Sequence, residues 1–585
     1  MRFVFAIGAF VVAAVLIVVG FAQQTVFKGP DTLRVDVPVA QEQPFVVIDG
    51  SVLAARPGTQ TVTATGSEHA VVAYARTADV TAWLDAGGSS YNHVTLDGEG
   101  EMTAKVITPK APPAPAEGAP ELVSDPRGSD LWLGEFSETE SVIAPINIDE
   151  NMSVLVAADG TEMAPTTLGL SWPLDNSTPW AGPMIVAGLG FLLLGIILYI
   201  LAFLHVRRSR GPRRKSAALA EGGGRRRRSI RARVALPMTL VGAVALTGCS
   251  ASYWPQAEPT PTSTAAEATS SASPSPGQTA EPVQDTPAPA VTGPQLERIV
   301  SRISAVVTEA DEKGDADLIR TRVEGSALDG RLANYKIRET EKEFRRPEAI
   351  PGQTVEIALP QATDSWPRTV MTVVKNADDA TVAPVMLVLR QSSPRDNYLI
   401  ERTMTLEPKV RIPEVPPVTL GSSLVPADSS FLTAVPSKLA EAYGDVVEKG
   451  QESEYAVLFE SDNDTLRREM LEDRESKRAQ LADTAEISFV IQATGNPPIA
   501  LSTNDRGALV ALDIAEIETV KATHERATIT PGNSVKALAG ITGPVRGSEA
   551  TYTDQVLFYV PPAGSDEKIR LLGFSQFLTS AKEIS

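Results

Sequence analysis

Two long apolar runs stand out from an otherwise mixed chain. Residues 3–22 are twenty apolar or small residues in a row, preceded by Arg2 alone. As a helix such a run is about 30 Å long, the thickness of a bilayer core. Residues 1–22 therefore read as a membrane anchor that is kept, because a secretory signal has a shorter apolar stretch of roughly 7–15 residues. Cleavage after Ala22, with Gly20 and Ala22 as the small residues a peptidase requires, is the competing reading. The second run covers residues 180–206, with its apolar centre at 184–204, no charge, and Trp180 at the edge where an indole favours a membrane interface. A third run, residues 234–246, spans only about 20 Å as a helix, too short for an ordinary span.

Between the first two runs the period is that of strands. Residues 32–37, 60–65 and 102–107 alternate apolar with polar, and residues 45–48 and 153–156 are continuous apolar runs. Turn pairs separate them: Asp49-Gly50, Pro57-Gly58, Asp97-Gly98 and Asp159-Gly160. The pattern predicts an all-β, sandwich-like domain over residues 23–179, divided by a Pro/Ala/Glu-rich loop at 109–126.

After residue 294 the period becomes helical. Leu296, Ile299, Val300, Ile303, Val306 and Val307 share one face, and a second stretch follows through Leu318, Val323, Leu328 and Leu332. Strands are expected at 354–359, 370–374, 385–389 and 398–406, the last two forming a hairpin around 392–396. The order then repeats: a helix through Leu439, Tyr443, Val446 and Val447, a charged helical run at 466–480, and strands at 487–491, 508–512, 555–560 and 569–577. Six prolines in residues 407–436 mark a boundary, so two α+β domains are expected, 295–435 and 436–585.

Charge sets the orientation. The 585 residues include 72 acids and 53 Lys and Arg, a net charge of −19. Yet residues 207–233 hold twelve basic residues and only Glu221 as an acid, a local +11 that leaves −30 for the rest. Arg207, Arg208, Arg210, Arg213, Arg214 and Lys215 follow the second span directly, with Arg225, Arg226, Arg227 and Arg228 further on. By the positive-inside rule this segment is cytoplasmic, which places residues 23–179 outside. The same residues suit anionic lipid headgroups. The acidic remainder argues against nucleic acid as a partner.

The third run and the single cysteine explain each other. A basic flank, a short apolar run and small residues make a secretory signal, here internal, over residues 234–249. It ends in Leu246, Thr247, Gly248 and Cys249, which resembles a bacterial lipobox; the alternative is a buried thiol. Two acyl chains on Cys249 would make a stable anchor, each buried methylene contributing about 0.8 kcal/mol. Residues 250–294 contain nine Pro, seven Ser and seven Thr, the composition of a disordered tether. The chain is then either a natural fusion, or two neighbouring proteins joined in one frame that part at Cys249.

Catalytic patterns are missing. No phosphate-binding loop, dinucleotide fingerprint, zinc-protease motif or nucleophile elbow occurs. Gly222, Gly223 and Gly224 precede arginines rather than open a helix. His69 and His93, with Asp85, Asp97 and Glu99, have no metal or nucleophile–base spacing. Asp462-Asn463-Asp464 starts like a calcium loop but lacks its sixth-place glycine. Asp311 and Asp315 are paired carboxylates of the kind acid–base work uses, but nothing in the sequence marks either as buried, whereas the charged run Arg467 to Arg478 reads as a solvated helix face. No cofactor is expected, and one cysteine excludes a disulfide framework.

The helix–helix–strand order with a long closing hairpin resembles the NTF2-like, cystatin-like superfamily over residues 295–585. The whole layout resembles actinobacterial membrane and lipoprotein families of unknown function. The resemblance implies cone-shaped α+β domains; enzymatic members line the cone with an Asp/His pair, whereas here the first repeat has no histidine and the second only His524. The expectation is a multi-pass plasma-membrane and lipid-anchored protein of the cell envelope. It is not an enzyme, and its large extracytoplasmic domains bind an envelope protein or polymer. The alternative is an envelope hydrolase or transferase with a carboxylate site in a carboxy-terminal pocket.

Overall fold

The computed structural model describes residues 2–110, 125–209 apart from 161 and 175, and 287–585 apart from 353, 378, 380, 409, 482–484 and 525. These fall into two compact units: residues 2–35, 57–60 and 171–209, and residues 36–56, 61–170 and 287–585.

The first unit is built on two antiparallel helices, α1 (Arg2–Thr25) and α4 (Ala181–Ser209), with strand β1 (Thr32–Asp36) following α1. Both helices are long and apolar enough to cross a membrane. Apolar side chains give no net drive to associate in lipid, so such helices join where small residues let their backbones approach. Ala6, Ala13, Ala181 and Ala202 are buried accordingly. A Cβ at Gly188 would lie 2.6 Å from Cγ1 of Ile17 and 3.1 Å from the Ala13 carbonyl oxygen, and only glycine fits there.

In the second unit, residues 36–170 are β-rich but are not two packed sheets. Strands β2 (Phe45–Asp49), β3 (Gln60–Arg76), β4 (Tyr91–Leu96), β5 (Met102–Ile107), β6 (Gly134–Ile146), β7 (Met152–Ala157) and β8 (Thr167–Pro173) form one mixed sheet. Its order is β8-β3-β7-β2-β4-β5, with β6 also paired to β3. β2 and β4 run parallel, and a parallel pair needs a crossover, which passes through α2 (Gly50–Leu53), β3 and the helix α3 (Thr77–Gly87). This corrects the all-β, sandwich-like expectation: Val80, Trp83 and Leu84 recur at helical spacing, and their burial holds α3 against the sheet.

The carboxy-terminal region does show helices followed by strands, twice. α5 (Gly293–Lys313), α6 (Ala316–Arg320) and α7 (Gly325–Thr340) precede β9 (Thr354–Pro360), β10 (Arg368–Lys375), β11 (Val385–Gln391) and β12 (Leu399–Leu406). α8 (Leu439–Lys449) and α9 (Thr465–Leu481) precede β13 (Ala485–Ala493), β14 (Ile499–Ser502), β15 (Ala508–Ala522), α10 (Asn533–Ala539), β16 (Gly547–Val560) and β17 (Arg570–Ile584). One sheet joins both halves in the order β13-β15-β16-β17-β12-β11-β10-β9, so the last strand of each half meets the other at the centre. That seam is short, Thr405 opposite Phe574 and Leu406 opposite Gly573.

Three apolar clusters explain the layering. Each half packs its helices on one face of its own strands. The opposite faces pack together, Met371, Met386 and Met404 of the first half against Leu509, Leu557 and Leu572 of the second. The result is four layers, helix–sheet–sheet–helix. The proline-rich stretch 407–436 lies along this shared core through Val410, Ile412 and Val415. α5 begins at Gly293, inside the stretch expected to be a tether, because Thr292 and Gln295 form a reciprocal capping box.

Candidate functional site

The most densely built polar feature joins residues 36–170 to the carboxy-terminal region. β3 runs directly into α3, which sets Arg76, Asp79 and Trp83 at near-helical spacing along one edge. Asp79 is buried and accepts on both oxygens, from Arg76 Nε at 2.7 Å and from Arg368 Nη2 at 2.6 Å. Arg368 opens β10 just after the cis Trp366–Pro367 peptide, is fully buried, and lays its guanidinium 3.7 Å from the centre of the Trp366 ring. Arg395, in the β11–β12 turn, stacks 3.8 Å from the Trp83 ring centre and donates from Nε to the Trp83 carbonyl at 2.9 Å. Burial pushes the Arg395 guanidinium down to about 10. Gly87 makes the stacking feasible: a Cβ there would lie 1.8 Å from Nη2 of Arg395.

A second anchor is Asp130, whose side chain is fully buried. Its Oδ2 accepts from Arg322 Nη1 at 2.5 Å and from the Tyr398 N–H at 3.0 Å. Arg302 reaches its Oδ1 at 3.5 Å. The backbone is read as well: the Asp130 N–H donates to Asn397 Oδ1 at 2.9 Å, and its carbonyl accepts from Gln295 Nε2 at 2.7 Å. Both buried acids stand on one side, where Arg76 shares Asp79, and Arg302, Arg322 and Arg368 reach them from the other. Removing either partner of such a pair leaves an uncompensated buried charge, at a cost of about 3–5 kcal/mol.

A cleft of about 560 Å³ lies over the seam between β12 and β17, lined among others by Arg331, Phe344, Glu348, Glu407, Glu469 and Phe577. Glu348 is engaged, accepting from the Thr405 hydroxyl at 2.6 Å and from Arg345 at 3.0 Å. Arg331 is turned to Asp311, which also accepts from the Tyr335 hydroxyl at 2.6 Å. Burial raises the Asp311 carboxyl, and Arg331 opposes that rise. Beneath the seam, fully buried Arg402 donates to Asp513 at 3.0 Å and to Glu401 at 2.6 Å, and Ser326 donates to Asp513 at 3.0 Å. This network ties the two halves together from within.

The residues singled out from sequence are dispersed. Cys249, Arg210, Arg213, Arg214, Lys215, Arg225, Arg226, Arg227 and Arg228 lie outside the described residues; Arg207 and Arg208 fall in the last turn of α4. Asp311 and Asp315 do not work as a pair, since Asp315 caps α6 by accepting from the Asp317 and Leu318 N–H groups. Asp464 of the calcium-like stretch is buried, accepting from the Arg467 N–H at 3.0 Å and the Tyr443 hydroxyl at 2.8 Å. His93 is 3.7 Å from Asp49, and among the described residues no three His, Cys, Asp or Glu side chains gather as a metal site would require. Sequence reasoning missed Asp79, Asp130, Arg368 and Arg395. Only Asp79 and Trp83 left a trace, four residues apart on a stretch with helical spacing.

Fold and contacts define a class: a two-half α+β module whose central sheet is continuous, docked through arginines on a β-rich partner region of the same chain. Residues 287–583 match the family described as "Domain of unknown function (DUF8094)", and the chain belongs to that family. No curated protein and no solved structure matches the chain.

Proposed function

We propose that this is a non-enzymatic scaffold of the bacterial cell envelope, held in the plasma membrane by α1 and α4 and by lipid on Cys249. Its two large regions stand outside the cytoplasm, where they bind an envelope protein or polymer or help to assemble a membrane complex. One observation carries the reading: the buried Asp79 and Asp130 interface binds residues 36–170 to the family domain. Two regions sharing a buried interface occupy one compartment. With α4 crossing between them, the chain must cross back between residues 210 and 286, and residues 234–246 are the apolar run there. A basic flank before that run and Cys249 after it suit export and lipidation. The two halves of the family domain, each a helix pair on a curved sheet, are in this reading NTF2-like repeats whose apolar interiors are filled. The test is twofold. Protease added to intact cells is expected to remove residues 287–585, and Cys249→Ser is expected to abolish incorporation of labelled fatty acid. A family domain that stays protected, or labelling that survives the substitution, overturns the placement.

The seam cleft supports a second reading, an envelope hydrolase or transferase, because Glu348, Glu407 and Glu469 line one largely apolar cavity. Cell-wall glycan and peptide fragments discriminate between the two. Turnover that disappears in Glu407→Gln or Glu469→Gln favours the enzyme, whereas binding without turnover favours the scaffold.

A further inference from the structure

We infer that the interface around Asp79 and Asp130 is a partner-binding surface that holds without the covalent link: residues 36–170 and 287–585 stay together as a bound pair when the chain between them is severed. The partner the family domain takes is thereby specified by its chemistry. It offers a helix with a buried carboxylate and an indole face one turn apart, and a loop with a second carboxylate and open backbone carbonyls.

The contacts are not those of chain neighbours. Arg368 and Asp79 are 289 residues apart, Arg395 and Trp83 312, and Arg322 and Asp130 192. Acids Asp79 and Asp130 face Arg302, Arg322 and Arg368, Arg395 stacks on Trp83, and Arg76 on the acid side donates across to the Pro289 carbonyl at 3.1 Å and lies 3.9 Å from Asp364. Recognition extends to the main chain, where the carbonyls of Trp83, Asp130 and Trp132 accept from Arg395, Gln295 and Arg298. Trp366 of the family domain packs against the core of the other region. Such features, buried aromatics and arginines with fully desolvated charges, mark the energetic centre of an interface between separate proteins. Buried pairs are also screened little by salt.

Lipidation of Cys249 belongs to the function proposed above, whereas persistence of the pair does not depend on it, and the experiment cuts the chain elsewhere. A site for a specific protease is placed within residues 262–275 of the full-length protein, which is cut in detergent and captured by a tag on the amino-terminal piece. The carboxy-terminal piece is expected to remain bound at micromolar concentration and at about 0.5 M salt. Asp79→Ala with Asp130→Ala is expected to weaken the pair at least about 100-fold. Gly87→Leu, which removes no charge, is expected to release the piece with its own thermal melting unchanged. Separation of the uncut-sequence pieces at that concentration overturns the inference, as does unchanged affinity in both variants. Pieces that hold together in a protein that takes no fatty acid would refute the proposed anchoring and leave this inference standing; labelled pieces that part would do the reverse.

Discussion

Asp554 is fully buried on β16, on the face that carries Val556 and Phe558 into the helix-covered core of the second half. Burial pushes its carboxyl up to about 7; Gln576 across the strand pair and Arg474 offset this in part, and Glu516 adds to it. The folded value lies above the unfolded one of about 4, so the fold favours the protonated form. The associated stability is complete below about pH 4 and is lost as pH rises through 7. Three units correspond to an upper bound of roughly 4 kcal/mol at alkaline pH. Asp554→Asn keeps the shape and removes the charge. Urea unfolding is expected to show it more stable than the parent by about 1–3 kcal/mol at pH 8 and equal near pH 4. Equal shifts at both values would sink this account. Nothing in the sequence around Asp554 marked it, because a carboxylate on a strand is solvated or buried according to the twist and cover of the sheet, which neighbouring residues do not encode. Asp130 and Arg368 were illegible for the same reason, each lying far along the chain from the partner that gives it meaning.

Elements were more legible than sites because period is a local property. The helical spacing from Leu296 to Val307 and the alternation at 102–107 each lie in the expected element, α5 and β5. Helix α3 was overlooked because its apolar stripe is only three residues long, Val80, Trp83 and Leu84, between two strands of stronger pattern. Sheet order was beyond reach: nothing local says that β12 and β17 meet over two residue pairs while the backs of the two halves close on each other. So short a seam contributes little alone; the halves cohere through the apolar core between their backs, and the Arg402–Asp513 pair is a buried charged link across them. Asp513→Ala would strand a fully buried guanidinium that retains only Glu401 and the Pro497 carbonyl. A loss of about 3–5 kcal/mol in denaturant unfolding is expected, with the two halves still melting together. The triple replacement Glu401→Gln, Arg402→Met and Asp513→Leu is expected to recover part of it, since no member of the buried charge network is then left uncompensated.

For the whole molecule, the uneven charge and the burial pattern lead to the same constraint. A local +11 after α4 favours the cytoplasmic side for residues 207–233. The regions before and after it share buried Asp–Arg pairs, and neither side can keep its charges buried if a bilayer separates them. The proposed membrane placement therefore requires an even number of crossings between residues 170 and 287. A peptide epitope in the exposed turn at 97–100 and another at 566–568 report on this directly, since both lie on the surface of the second unit. In cells stripped of their outer layers but with the inner membrane sealed, external protease is expected to destroy both epitopes at similar rates. Neither should be protected, in the parent or in Asp79→Ala with Asp130→Ala. Protection of one epitope alone would separate the two regions by a membrane and remove the docked interface along with every functional conclusion drawn from it. Without external protease, persistence of the epitope at 566–568 in a membrane pellet after the chain is cut between 262 and 275 would show that the docked region holds the family domain, because the cut parts that domain from Cys249. Asp79→Ala with Asp130→Ala is then expected to release the cut family domain from the pellet, whereas Cys249→Ser is expected to leave it there, because only docking can retain a piece that lacks residue 249.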